Sequence, residues 1–156
     1  MEKPGIPGLF VYMGLRTTKD WNQFLLRFFV ALGLWEVAAV SLRTLLFSVF
    51  YFDPSFKDFF IPFSQVFWLG PIAADFLQVF FIGILVSLVR PSLPYGLLGG
   101  LLVGICFSIA AFAAPALAIS QFTGAFPVKL VWLWAFYQTV LSILSCFVFT
   151  FSAEEE

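Results

Sequence analysis

Four long apolar runs constrain the fold of this chain more than any other feature of its sequence. They extend over about residues 24–50, 69–89, 96–119 and 128–151. An α-helix rises about 1.5 Å per residue, so about 20 mostly apolar residues cross a hydrocarbon core about 30 Å thick. Each run meets this requirement. We therefore predict an all-α integral membrane protein, a four-transmembrane-helix bundle that forms a single transmembrane domain over residues 1–156.

The composition leaves little room for another kind of fold. Hydrophobic residues make up 62% of the 156 positions and charged residues 11%, whereas a typical soluble domain has about 45–50% apolar and about 25% charged residues. A chain this short cannot hide so much apolar surface in a water-soluble core. Lipid is therefore the expected solvent for much of the surface, and no length remains for a second domain.

Two segments outside the spans mix aromatic residues with charges and helix breakers. Residues 1–23 lack the apolar core and cleavage site of a signal peptide, and residues 51–68 place Asp53-Pro54 among closely spaced phenylalanines. Such aromatic-rich segments are typical of a membrane–water interface. We predict an interfacial location for both, an uncleaved first span that serves as the insertion signal, and a solvated acidic tail over residues 152–156.

The distribution of basic residues predicts the orientation of the spans. If the N-terminus is cytoplasmic, the basic residues at the cytoplasmic side are Lys3, Arg16, Lys19, Arg27 and Arg90, and those at the opposite side are Lys57 and Lys129. Cytoplasmic loops carry the excess of Lys and Arg. We therefore expect both termini in the cytoplasm, with a bacterial inner membrane as the location.

Charged residues inside the apolar runs are the strongest functional signal. Glu36 lies near the middle of the first span, and Arg43 follows it two turns later on the same face. A charge at that depth costs about 2.5–3.5 kcal/mol on insertion scales, so both side chains must face protein or water. Asp75 of the second span lies at the depth of Arg43, and we predict an ion pair between them that locks two helices together.

Glu36 has no cation at its own depth within the chain. Gln138 in the fourth span comes closest in depth, with Gln78 and Tyr137 as further candidates. A carboxyl group hydrogen-bonded to an amide away from water favours the protonated form. Glu36 is thus interpreted either as a structural or partner-binding group or as a site that handles a ligand or a proton.

Small residues on one face of the third span predict close helix packing. They are Gly96, Gly100, Gly104, Ser108 and Ala111. Small side chains let helix backbones approach where no hydrophobic force drives association. The stripe faces either the chain's own bundle or another subunit. Pro115 is expected to kink the same helix and to free a carbonyl group.

The sequence lacks the residues that several kinds of metal, cofactor and catalytic site require. The chain has no histidine, and its two cysteines, Cys106 and Cys146, are predicted to lie at different depths. These features argue against haem, zinc and iron–sulfur sites, and no catalytic triad, carboxylate pair or phosphate-binding loop is present. We expect no catalytic activity, no cofactor, no metal and no nucleic-acid partner.

The function that the sequence favours is therefore helix packing. We expect an accessory or scaffold subunit of a larger membrane complex, whose partners are membrane lipids and either other membrane-protein subunits or further copies of itself. Two alternatives stay open. One is a small oligomeric transporter or channel that uses Glu36, and the other is a binder of a hydrophobic molecule such as a lipid, quinone or pigment, suggested by the 23 phenylalanines.

Overall fold

The computed structural model describes residues 18–60, 65, 67, 69–94, 96–122 and 127–151. Within these residues it is all-helical, with four helices long and apolar enough to cross a membrane: α1 (Thr18–Phe52), α2 (Leu69–Val89), α3 (Leu97–Phe122) and α4 (Val128–Phe151). The all-α prediction and the four spans are confirmed to this extent.

The helix ends differ from the predicted spans at α1 and α3. The first helix begins at Thr18, inside the segment predicted to be interfacial, and α3 continues to Phe122, beyond the predicted end of the third span. The bounds of α2 and α4 match the predicted spans. The predictions for residues 1–17 and for the tail at 152–156 lie outside the described residues.

A short 3₁₀ helix, Pro54–Phe59, follows α1 and occupies part of the predicted interfacial segment. Its N-cap is Asp53, whose carboxylate accepts a hydrogen bond from the backbone N–H of Ser55 at 2.9 Å and another from the Ser55 hydroxyl. Both bonds favour the ionised carboxylate, so they hold the pKa of Asp53 below its ordinary value. Asp53-Pro54 therefore ends α1 and starts the next turn.

The fourth helix is the centre of the bundle, because α1, α2 and α3 all pack against it. Ring contacts between Phe24 and Phe149 at 5.8 Å and a hydrogen bond from Arg43 to Tyr137 show that α1 and α4 are antiparallel. After α2 the chain reverses through a 3₁₀ helix at Arg90–Ser92. However, α2 and α3 pack little on each other, since α2 packs on both α1 and α4 and α3 packs on α4.

The core lies between α1, α2 and α4 and is rich in aromatic side chains. On α1 the buried positions recur every three or four residues, as one face of a helix requires; they are Phe24, Phe28, Ala31, Trp35 and Ala39. Phe28 meets Phe76 of α2 edge to face at 4.9 Å. Many large apolar side chains on the other faces are exposed, as expected where lipid is the solvent.

The glycine stripe of α3 faces the chain's own bundle. A Cβ atom on Gly100 would lie 2.7 Å from Cδ1 of Phe147, and one on Gly104 would lie 2.9 Å from Cα of Ile143. Both neighbours belong to α4, so the absent side chains allow α3 and α4 to approach closely. The open question of which surface the stripe contacts is thereby answered for these two glycines.

Gly96 is buried but lies before the first residue of α3, and its role as a packing residue stays a prediction. It precedes α3 and adopts φ 73°, in the region that favours glycine. The turn after α2 therefore explains this glycine. Of the other stripe members, Ser108 is buried, and Ala111 is half-buried within a π-helical segment.

That π-helical segment, Ile109–Ala113, lies immediately before the proline of α3. The backbone N–H of Ala114 donates to the carbonyl of Ile109, five residues earlier. Pro115 has no N–H and its ring crowds the preceding turn, and a widened turn is one way in which a helix accommodates such a residue. A π-helical turn thus precedes Pro115, and the kink and the free carbonyl group expected there stay predictions.

Candidate functional site

The side chain of Arg43 joins three helices at one polar cluster. Its Nη2 donates a hydrogen bond to the hydroxyl of Tyr137 on α4 at 3.0 Å, and the guanidinium carbon lies 5.9 Å from the centre of that ring. The same Nη2 lies 4.0 Å from Oδ2 of Asp75 on α2. The structure therefore brings Arg43 and Asp75 together and adds Tyr137 as a third member.

Trp35 of α1 is fully buried beside the same carboxylate. Its indole lies near Asp75, but Nε1 has no partner within hydrogen-bond geometry among the described residues. Asp75 is itself buried, with 10% of its side chain exposed. The carboxylate thus lies between a guanidinium at the surface and an indole in the core.

Glu36 is the least satisfied member of the polar cluster. It is only partly buried and interacts electrostatically with Asp75 and Arg43. Within the described residues it makes no hydrogen bond and no ion pair. The expectation that Gln138 is its nearest partner is not met, because Oε1 of Gln138 accepts a hydrogen bond from Nε2 of Gln78 at 3.1 Å.

The geometry of the two glutamines explains this difference. Gln138 is buried where α4 faces α2, and Gln78 lies one turn after Asp75. Glu36 instead lies at the edge of α1, outside the row of buried residues that contains Trp35. Glu36 and Gln138 were predicted to lie at a similar depth, but their side chains have different neighbours.

The cluster is open to its surroundings on one side. The Arg43 side chain is 51% exposed, and Val40, which lies between Glu36 and Arg43 on the same face of α1, is 62% exposed. Of the two carboxyl groups, only that of Asp75 pairs with the guanidinium, and that of Glu36 has no ion-pair partner among the described residues. Chemically, the cluster can accept a proton, a hydrogen-bond donor or a cation at Glu36.

Hydroxyl groups in the bundle fall into two classes. In the first class the hydroxyl bonds to a carbonyl about one turn earlier in its own helix, as is usual for Ser and Thr in helices; this class contains Ser41, Thr44, Ser87, Ser120, Thr139 and Thr150. In the second class the hydroxyl oxygen is buried and has no partner among the described residues; this class contains Ser108, Ser142 and Ser145. Sequence reasoning did not single out Ser142 and Ser145, although their spacing from Gln138 was a signal for a polar face.

An apolar cavity of about 400 Å³ lies above the polar cluster, between the end of α1, the 3₁₀ helix, α3 and α4. Its lining contains Phe47, Phe59, Phe60, Ile119, Leu130, Val131 and Trp134. Phe47 also touches the Tyr137 ring edge to face at 5.8 Å, so the cavity and the cluster are neighbours. The phenylalanine-rich composition therefore produces at least one partly enclosed apolar space.

Comparisons of the chain with protein-family models, with curated proteins and with solved structures found no match.

Proposed function

We propose that this chain is a non-catalytic membrane subunit with an accessory or scaffold role, and that it contacts another membrane protein through the open side of the polar cluster. The observation that carries the proposal is Glu36. It lies in the middle of an apolar helix, it is partly exposed, and it has neither a hydrogen bond nor an ion pair within the described residues.

Membrane energetics give the reason why such a group points to a partner. An ionisable side chain at mid-membrane is costly unless it faces protein or water, and lipid tails offer neither donors nor charge. A Lys, Arg or amide side chain from a neighbouring helix would satisfy Glu36 and the remaining donors of Arg43. Apolar residues around them, such as Val40, would supply packing contact.

The proposed location is a bacterial inner membrane with both termini in the cytoplasm. The bundle supports termini on one side, because the start of α1 packs beside the end of α4 through Phe24 and Phe149. The excess of Lys and Arg at that side supports the cytoplasmic assignment.

A comparison of two α1 variants in the native membrane tests the proposal. The tagged protein is purified in mild detergent, and the mass and composition of the complex are determined for Glu36→Ala and for Thr44→Val. Thr44 is exposed on α1, and its hydroxyl bonds only to its own helix, so Thr44→Val is the matched control. We expect a stoichiometric partner with the wild type and the control, and its loss with Glu36→Ala. Retention of the partner by folded Glu36→Ala would contradict the proposal.

A small oligomeric transporter or channel is the second candidate, and the polar row on α4 favours it. Gln138, Ser142 and Ser145 are buried along one face, which is more polarity than packing alone requires. In liposomes this function would give a proton or cation flux that Glu36→Gln abolishes. A flux that Glu36→Gln leaves unchanged would exclude the proposed role of Glu36 in transport.

Binding of a hydrophobic molecule is the third candidate and is favoured by the apolar cavity. Its volume of about 400 Å³ lies in the range of ligand pockets, about 300–1,000 Å³. A lipid, quinone or pigment that copurifies with the wild type, and is lost when Trp134→Ala changes the lining, would support it. A wild-type preparation free of such molecules would count against it.

A further inference from the structure

A row of polar side chains runs along the buried face of α4. Gln138, Ser142 and Ser145 are spaced by four and three residues, so they lie on one side of the helix. Their exposed fractions are 8%, 0% and 1%. Polar groups buried this completely are almost always hydrogen-bonded to protein or to ordered water.

Trp35 of α1 is buried in the same core as this part of α4. In the antiparallel pair of α1 and α4, Phe24 meets Phe149 and Arg43 meets Tyr137. Trp35 lies between those two contacts along α1 and therefore opposite the stretch of α4 from Gln138 to Ser145. Its own exposure is 0%.

Three polar atoms at this level have no hydrogen-bond partner among the described residues. They are Nε1 of Trp35, Oγ of Ser142 and Oγ of Ser145. The indole can only donate, a hydroxyl can donate and accept, and the nearby Asp75 carboxylate can only accept. A group that satisfies this set must accept from the indole and still have protons to donate.

We propose that ordered water occupies this level of the bundle and bridges Trp35 to the two serines and to Asp75. Water is the small group with both donors and acceptors, and buried water typically makes about 3 hydrogen bonds to otherwise unsatisfied polar groups. A metal cation could bind the oxygen atoms, but it has no lone pair with which to accept a hydrogen bond from the indole N–H. The site does not depend on the proposed partner, because all of its members are buried within the chain.

The competing arrangement is local. Rotation of each serine hydroxyl onto a carbonyl of its own helix, as in Ser41 and Thr139, would satisfy the serines without water. It would leave the Trp35 indole with Asp75 as its only nearby acceptor. Water and back-bonding therefore differ in what lies next to the indole proton.

The test is magnetisation transfer between water and the Trp35 indole proton, measured by NMR on protein with ¹⁵N-labelled tryptophan in lipid nanodiscs. The Trp35 resonance is assigned by substituting each of the other four tryptophans with Phe in turn. We expect a water cross-peak at the Trp35 indole. Cross-peaks from that proton to protein protons alone would overturn the proposal.

Two variants identify the groups that hold the water. Ser142→Ala combined with Ser145→Ala removes both hydroxyls, and we expect at least a threefold weaker water cross-peak at Trp35. Thr139→Val removes a hydroxyl that already bonds to Ala135, so it should leave the cross-peak unchanged. Equal cross-peaks in all three proteins would contradict the assignment to the serines. If the double variant does not fold, the wild-type spectrum still decides whether water is present.

Discussion

The two faces of α4 pack against their neighbouring helices in different ways. Towards α3, Gly100 and Gly104 remove side chains so that the backbones pack closely against Phe147 and Ile143. Towards α1 and α2, the contact runs through Arg43, Tyr137 and the two glutamines.

The first interface is closed by shape, and its two glycines carry no side-chain group that needs a partner. The second is held by polar contacts and leaves Arg43 half-exposed and Glu36 without a hydrogen bond in the described part of the chain. A protein that needed only to fold in lipid could use the first solution on both faces. We therefore propose that the polar side carries the function, and the following predictions test whether the two sides are separable.

The largest effect is expected from overpacking the closed interface. Gly104→Leu places a side chain where a Cβ atom alone would lie 2.9 Å from Cα of Ile143, so α3 must move away from α4. We expect a loss of about 3 kcal/mol in the free energy of unfolding, at the upper end of overpacking costs. Gly33→Leu is the matched control, because nothing lies within 4 Å of a Cβ atom there. Unfolding titrations in mixed micelles measure both, and equal stabilities for the two variants would refute the close packing.

Breaking the polar interface should cost less. Arg43→Ala and Asp75→Ala each leave a charge without its partner, and the half-exposed position of Arg43 reduces the cost to about 1–2 kcal/mol, below that of a fully buried pair. The double variant should lose less than the sum of the two single variants, because the pair is removed only once. Strictly additive losses in the same titration would show that the two side chains do not interact.

A smaller effect is expected at the hydroxyl of Tyr137. Tyr137→Phe keeps the ring contact with Phe47 and removes the acceptor of the Arg43 hydrogen bond. Hydrogen bonds between membrane helices contribute about 0.6 kcal/mol on average, and we expect a loss of this order in unfolding free energy. In an Arg43→Ala background the same change should have no effect. If Tyr137→Phe lowers the unfolding free energy equally in that background, the hydroxyl does not stabilise the fold through Arg43.

The smallest effect lies outside the helices, at the N-cap of the 3₁₀ helix. The Ser55 hydroxyl and backbone N–H hold the pKa of Asp53 below its ordinary value of 3.8. Because the pKa of Asp53 is lower in the folded chain, the cap stabilises the fold fully at pH values above the pKa of Asp53 in the unfolded chain. This stabilisation is lost as the pH falls through the pKa of Asp53 in the folded chain. Ser55→Ala removes one of the two bonds, so an NMR titration of the Asp53 carboxyl should show a pKa closer to 3.8. An unchanged pKa would mean that the hydroxyl does not act on the carboxylate.

The sequence predicted what depends on length and depth. Helix rise fixes how deep a residue lies, so the sequence predicts the pair of Arg43 and Asp75, whose side chains lie 4.0 Å apart. The sequence did not predict how each helix is rotated about its own axis, because packing against the neighbouring helices sets that rotation. The direction in which a side chain points was therefore not predictable. For this reason Gln138 was assigned to Glu36 but bonds to Gln78, and Tyr137 was not expected beside Arg43.

Turn geometry was the other limit. The four-residue spacing of Gly96, Gly100 and Gly104 suggested a single stripe, yet the first of these glycines lies in a turn with positive φ. Ser142 and Ser145 could not be related to Trp35 from the sequence, since only the antiparallel register of α1 and α4 brings them to a similar level.

The most direct test of the account is photo-crosslinking from Val40 in living cells. Val40 is 62% exposed between Glu36 and Arg43, and Leu102, which is 45% exposed on α3, serves as the comparison site. With a photoreactive phenylalanine analogue at each position in turn, we predict a discrete crosslinked product from position 40, containing a different membrane protein, and none from position 102. Crosslinks to lipid alone from both positions, or to a partner from position 102 only, would contradict the claim that the polar side of the bundle is the docking surface.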